Sequence, residues 1–160
     1  MQEKTNSQSI TFQVCSIGQI NREKGQTFLK IDAPYRAGLE KLDQFSHVQV
    51  FWWADRHDNE TSRSILKTAL PYAEGVQAGV FACRSEYRPN PVALTPCPIV
   101  DVNMDTGTII ITDIDAEDGS HILDLKPYIP VCDRIRTVTS APWFHDWPEW
   151  LPESGLALQY

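Results

Sequence analysis

Apolar residues recur along this chain in short runs with β-branched or alternating character, and polar turns separate the runs every eight to fifteen residues or so. Ile10 to Ile20 alternates around Phe12 and Val14 and predicts a strand. Asn21 to Gly25 is a polar turn, and Thr27 to Ile31 a second strand, so the two predict a hairpin joined by a loop rather than a tight two-residue turn. Arg36 to Leu42 carries Ala37, Leu39 and Leu42 at helical spacing and predicts a helical turn or two. His47 to Ala54 is the most apolar run. Val48, Val50, Phe51, Trp52 and Trp53 within it predict a strand buried on both faces or lining a cavity.

Ser62 to Leu70 reads as a short helix ended by Pro71, with Tyr72 to Ala78 a loop leading to a short buried strand at Gly79 to Cys83. Val92 to Asn103 predicts a strand interrupted by Pro96 and Pro98, hence bulged or at an edge, because proline has no N–H for a ladder. Thr108 to Ile114 is β-branched at nearly every position and is a strong strand. Ile122 to Leu125 is a short strand, and Arg134 to Val138 a last one. About seven short strands with minor helices predict a mainly β fold, a small and mostly antiparallel barrel. The repeating βαβ pattern of a doubly wound sheet is missing, as is any Gly-x-Gly-x-x-Gly, so a nucleotide-like ligand needs a different kind of site. The expected organisation is a flexible lead at 1–9, the barrel domain at 10–138, and a Trp- and Pro-rich tail at 139–160.

Composition narrows the classes. The chain has 160 residues and a formal net charge of −7, which argues against a surface coated for nonspecific nucleic-acid binding but leaves room for a local basic pocket. The polar start shows no apolar signal segment, and no run approaches the ~20 residues that span a bilayer. A cytoplasmic protein with no membrane partner is the expectation. Cys15, Cys83, Cys97 and Cys132 are scattered without a Cys-x-x-Cys pair, a pattern poor for zinc or redox work and expected reduced.

Candidate chemistry collects in three polar clusters at strand ends: Asp55 to Asp58, Arg84 to Asn90, and Asp115 to His121. In the second, Arg84 and Arg88 bracket a turn that runs into Pro89-Asn90-Pro91. The prolines stiffen the backbone, and guanidiniums and an amide suit planar or anionic acceptors. Trp52, Trp53, Phe81 and Tyr87 are available as apolar walls. Asp55, His57, Asp58, Asp115, Asp118 and His121 include enough hard and imidazole ligands for a divalent ion, although no local spacing fixes two on one face. A Ser-His-Asp hydrolase lacks its Gly-x-Ser-x-Gly elbow.

Two blocks carry a resemblance: Gly79 to Ser85 with Arg88-Pro89-Asn90-Pro91, and Asp118-Gly119-Ser120-His121 through Asp124-Leu125-Lys126-Pro127-Tyr128 to Pro130, with a looser match at Gly38 to His47. In these the chain resembles the TsaA-like family, the methyltransferases of the TrmO type. The resemblance implies a small non-Rossmann β-barrel, usually a homodimer, that binds S-adenosylmethionine and methylates N6 of threonylcarbamoyladenosine in tRNA, next to the anticodon. It implies cofactor contacts from Arg84, Leu94, Asp55, Arg56, Asp118, Gly119, Ser120 and His121. Substrate contacts would come from Arg88, Asn90, Lys126 and Tyr128. Asp118, Asp124 and His121 are all open as acceptors of the proton that the methylated nitrogen loses. The chain also departs from that family: Asn21 to Gln26 lacks a Pro-Arg-Gln segment, Asp55-Arg56 stand where His-Gln is usual, and Ser120-His121 replace Thr-Pro. The alternative from another class is a non-catalytic barrel that binds a nucleotide-like ligand or a protein partner.

Overall fold

A computed structural model of the chain describes residues 10–154. The expected lead at 1–9 and the last part of the tail, 155–160, lie outside the described residues. Six strands close a barrel: β1 (Gly18–Glu23), β2 (Gln26–Ile31), β3 (His47–Trp53), β6 (Val92–Asn103), β7 (Thr108–Ile111) and β8 (His121–Pro127), in the order β1-β2-β7-β6-β3-β8, every neighbour antiparallel. Two more, β4 (Lys67–Ala69) and β5 (Gln77–Gly79), form a separate two-stranded hairpin. The expected mainly β, mostly antiparallel barrel is what the chain forms, with six strands in the barrel and two beside it.

Alternation explains the wall. Along β3, Val48, Val50 and Trp52 point inward and are buried, while their neighbours face outward and are half-buried, so the strand is covered on one face rather than two. The inward set meets Ile20, Leu29, Ile31, Ile109, Ile111, Ile114 and Ile122 in one core. Buried Cys97 belongs to it, and desolvation, with Asp115 and Asp113 adding to it, pushes its thiol up to about 12, so it stays protonated.

Several elements differ from the sequence expectation. The first ladder starts at Gly18, not Ile10, because only from there does the chain pair with β2 on one side and β8 on the other; Phe12 is 84% exposed. Glycine is required at that start, since a Cβ on Gly18 would lie 2.1 Å from the Lys30 carbonyl oxygen. The hairpin that follows has the tight two-residue turn after all: Glu23 pairs with Gln26, and Lys24 and Gly25 both take positive φ, 51° and 78°. Helix over Arg36 to Leu42 is replaced by two 3₁₀ turns, Ala33–Leu39 and Leu42–Gln44, separated by Lys41 at φ 68°. The expected helix at Ser62 to Leu70 is only α1 (Glu60–Ser64), capped by Asn59, whose side chain accepts from the Ser62 amide. The chain then turns into β4, which pairs with β5.

Gly79 to Cys83 is not a buried strand. β5 stops at Gly79 and a 3₁₀ turn follows, burying Val80 and leaving Phe81 84% exposed. β7 ends at Ile111, three residues early. Arg134 to Val138 forms no strand and follows the short α2 (Pro130–Asp133), after the six strands of the barrel have already closed. In the tail, Phe144 and Trp147 pack on Tyr72, with ring centroids 5.6 and 5.3 Å away.

β6 matches the expected bounds, and its prolines sit where a sheet tolerates them. Ile99 donates to Ser46 on the β3 side, whereas the Pro98 carbonyl accepts from Thr112 on the β7 side. Alternation then turns the nitrogens of Pro98 and Pro96 away from β3, toward the side where β7 pairs only from Ile99 onward, and the bulge falls between Ile99 and Asp101. Ladder pairing between β6 and β7 therefore ends at Ile99, and beyond it the Thr112 amide still reaches the Pro98 carbonyl.

Candidate functional site

A cavity of about 260 Å³ lies where the end of β3 meets the β7–β8 connection. Trp52 and Ala54 from the end of β3 form its apolar side. The turn after β3 adds Asp55, Arg56 and His57; the loop before β6 adds Glu86; and the β7–β8 connection adds Asp115 and Glu117 through His121. Two of the three polar clusters therefore converge, and the third contributes only Glu86. Barrel mouths are a usual place for small-ligand sites.

The β7–β8 connection is held from behind by a residue that the sequence placed in a turn. Arg22, in β1, donates from Nη1 to the Ala116 carbonyl at 2.5 Å and from Nη2 to the Ile114 carbonyl, and its guanidinium lies 3.6 Å from Asp113. The Arg22 amide donates to Asp118 Oδ1 at 2.8 Å, and the Gly119 amide to the Ile20 carbonyl at 2.7 Å. One arginine and one strand edge thus fix the turn. Gly119 takes φ 82°, and nothing lies within 4 Å of where its Cβ would be, so the backbone there is open to a ligand.

Inside, a polar relay crosses the wall. Trp52 Nε1 donates to Thr95 Oγ1 at 3.1 Å, and the Thr95 hydroxyl donates to Asp115 Oδ1. Thr95 is 2% exposed, so this hydroxyl is satisfied only through the relay. Asp115 is exposed as a residue, yet its carboxyl is partly desolvated where it meets Thr95. That desolvation raises its carboxyl above the usual range; Glu86 adds to the effect, and the Thr95 hydrogen bond and Arg84 offset it. Nearby, Asp55 accepts from the His121 amide at 3.1 Å and pairs with His121 Nδ1 at 2.8 Å, and Arg56 pairs with Glu117 at 2.9 Å.

Of the residues the resemblance singled out, Asp55, Arg56, Asp118, Gly119, Ser120 and His121 line this cavity. Arg84 is outside its lining but close enough to act on Asp115. A second group stands on the outer wall of β6, β3 and β8: Leu94 and Asp124 both flank Phe51, and Lys126 pairs with Asp124 at 2.6 Å and lies 5.7 Å from the Phe51 ring centroid. Tyr128 continues that wall beside His47. Arg88 is turned into its own loop, donating to the carbonyls of Ser85, Val80 and Cys83 at 2.7 to 2.9 Å, and Asn90 accepts from Arg63 at 3.3 Å. Trp53, Phe81 and Tyr87 are not in the lining; Trp52 is. Of the six metal candidates, Asp58 faces Trp53 and Arg63, which hold its carboxyl below the usual range, Arg63 most strongly. Among the described residues, no group of three His, Cys, Asp or Glu side chains is placed to hold a metal ion.

Arg22 and Thr95 were missed, and Glu86 was included only as part of the Arg84 to Asn90 cluster. An inward-facing threonine in an otherwise apolar strand was a signal in principle; nothing in the local sequence signals Arg22, whose carbonyl partners lie 92 and 94 residues away.

The chain is similar to several known proteins. A probable S-adenosyl-L-methionine-binding protein of Halobacterium salinarum is 41% identical over 93 residues, covering 58% of this chain and 68% of that protein. The tRNA (adenine(37)-N6)-methyltransferase of Homo sapiens is 34% identical over 100 residues, covering 62% of this chain but only 22% of the human protein. The crystal structure of TrmO from Pseudomonas aeruginosa superposes with a TM-score of 0.65 at 25% identity, covering 85% of this chain and 63% of that one. The family model described as tRNA-methyltransferase O N-terminal domain matches residues 13–134, which include every strand of the barrel and every residue lining the cavity, and the chain belongs to that family.

Proposed function

We propose that the protein is an S-adenosylmethionine-dependent methyltransferase that modifies N6 of threonylcarbamoyladenosine in tRNA, beside the anticodon. The observation that carries this reading is the convergence of the Asp118 to His121 turn and Asp55-Arg56 on one cavity inside the matched family domain. The lining suits the cofactor. Carboxylates from Glu86, Asp115, Glu117 and Asp118 outnumber Arg56, which favours a sulfonium and an ammonium group; Trp52 offers an apolar wall, and the open backbone at Gly119 allows close approach. Bound there, the cofactor supplies an activated methyl group.

The chain's own part is alignment. Asp55, Arg56, Asp118, Gly119, Ser120 and His121 hold the cofactor, Arg84 stands at the rim, and Trp52 excludes water from one side. The cavity is slightly below the ~300–1,000 Å³ usual for small-molecule sites, which supports a ligand left partly open toward its acceptor. Leu94, Arg88, Asn90, Lys126 and Tyr128, outside the lining, are assigned to tRNA or to framing the site. Exposed apolar side chains beyond the barrel, including Val131 at 89% and Ile135 at 72%, support a homodimer. The setting is cytoplasmic; among the described residues no helix is long and apolar enough to cross a membrane.

Calorimetric titration with S-adenosylmethionine and S-adenosylhomocysteine tests the reading. Binding near micromolar, about −8 kcal/mol, is expected. The absence of heat at several temperatures from folded protein would leave the non-catalytic barrel in its place.

A further inference from the structure

A nitrogen that gains a methyl group by donating its lone pair must also lose a proton, and an enzyme gains rate by placing an acceptor for it. The side chains that the sequence left open for this task are placed poorly. Asp124 stands on the outer wall, paired with Lys126. Asp118 Oδ1 is occupied by the Arg22 amide. The imidazole of His121 has Nδ1 against Asp55 at 2.8 Å and Nε2 against the Gln19 amide nitrogen at 3.3 Å, so both ring nitrogens have partners.

Asp115 also has Oδ1 engaged, but by a side-chain hydroxyl and not by the backbone. Asp115 lines the cavity from the β7–β8 connection, whose backbone Arg22 grips on either side of it, at Ile114 and Ala116. Its Oδ1 is set by Thr95, whose hydroxyl is itself oriented by the Trp52 indole. Backbone and side chain are thus both fixed, which is the preorganisation that a proton acceptor needs.

Resting on the methyltransferase reading, we propose that Asp115 is the catalytic proton acceptor and that Thr95 and Trp52 are its positioning residues. The acceptor nitrogen gives its lone pair to the methyl carbon, the electrons of the broken carbon–sulfur bond staying on sulfur. The N–H bond then breaks, its pair returns to nitrogen, and the proton joins the Asp115 carboxylate. The neutral acid returns that proton to water before the next turnover. Partial desolvation of the carboxyl acts in the same direction, raising it above the range of an ordinary aspartate. The charged and titratable groups facing it are Glu86 and Arg84 from the loop before β6, and Cys97 in the core behind it. Across the cavity stand the Asp55–His121 and Arg56–Glu117 pairs, His57 and Asp118.

The test uses the full chain, with Asp115→Asn, Thr95→Val and Thr95→Ser. Single-turnover methylation of tRNA bearing threonylcarbamoyladenosine is followed against pH, cofactor affinity by calorimetry, and the Asp115 carboxyl by ¹³C titration. Asp115→Asn removes one of the lining carboxylates and should weaken S-adenosylmethionine binding by no more than about tenfold, while the single-turnover rate at saturating cofactor falls roughly 10²- to 10⁴-fold. Thr95→Val, which removes the donor to Asp115, should move both the carboxyl titration and the acidic limb of the rate profile upward together; Thr95→Ser should restore both. An Asp115→Asn rate within about tenfold of wild type, or an Asp115 carboxyl titrating at or below the ordinary ~3.9, overturns the proposal. If Asp115→Asn does not fold, the paired Thr95 variants decide: a rate profile that stays put while the carboxyl titration moves overturns it equally. Wild-type protein that binds no cofactor removes the functional reading and this inference with it; normal cofactor binding with an active Asp115→Asn removes the inference alone.

Discussion

The loop from Arg84 to Asn90 and the connection from Asp113 to His121 both carry dense charge, and they direct it oppositely. In the loop, Arg88 is turned inward onto three carbonyls of its own segment and Asn90 onto Arg63; only Glu86 reaches the cavity. In the connection, the support comes from outside, through Arg22, and the carboxylates of Asp115, Glu117 and Asp118 are left facing the cavity. A segment that satisfies its own polar groups makes a scaffold. A segment whose backbone is satisfied by a distant residue can present its side chains to a ligand.

Breaking each support should show this contrast. Arg88→Ala removes three hydrogen bonds from a charged donor and should have the largest effect on stability, about 2–3 kcal/mol in denaturant unfolding, with cofactor affinity little changed. A loss below about 1 kcal/mol would show that the prolines alone hold the loop. Arg22→Ala should destabilise less, by about 1–2 kcal/mol, but weaken S-adenosylmethionine binding about tenfold, because the connection loses its backing. Unchanged affinity would uncouple the connection from the site. The smallest effect is expected at Asp115. A carboxyl whose folded pKa lies above its unfolded value stabilises the fold while protonated, below the unfolded pKa, and that contribution is lost as pH rises through the folded pKa. Asp115→Asn should therefore compare more favourably with wild type at neutral pH than in acid, by a small margin because the residue is exposed. Melting curves whose difference from wild type is the same at both pH values would contradict the raised carboxyl.

What the sequence made legible was periodic or carried by a motif. The inward alternation of Val48, Val50 and Trp52, the β-branched run from Thr108, and the long strand from Val92 to Asn103 all define walls of the barrel, and the Asp118 to His121 turn was found from its resemblance. What stayed hidden depended on distant partners or on closure. Arg22 resembles any polar residue near a hairpin until its partners at 114 and 116 are brought beside it. Lys24 gives little local sign that it will take a positive φ. Arg134 to Val138 has the composition of a strand but follows a barrel that is already closed, and the environment of Asp115 exists only after β3 and β6 have placed Trp52 and Thr95 side by side.

Pro96 and Pro98 leave one stretch of β6 without amide donors on its β7 side. Their nitrogens face the stretch before Ile99, where β7 no longer pairs and the Thr112 amide bonds the Pro98 carbonyl. Because those donors are missing covalently, the β6–β7 ladder cannot be lengthened from the β6 side. The two strands therefore keep a fixed end to their register, and the chain after β7 is free to leave the sheet and form the connection that carries Asp115 to His121.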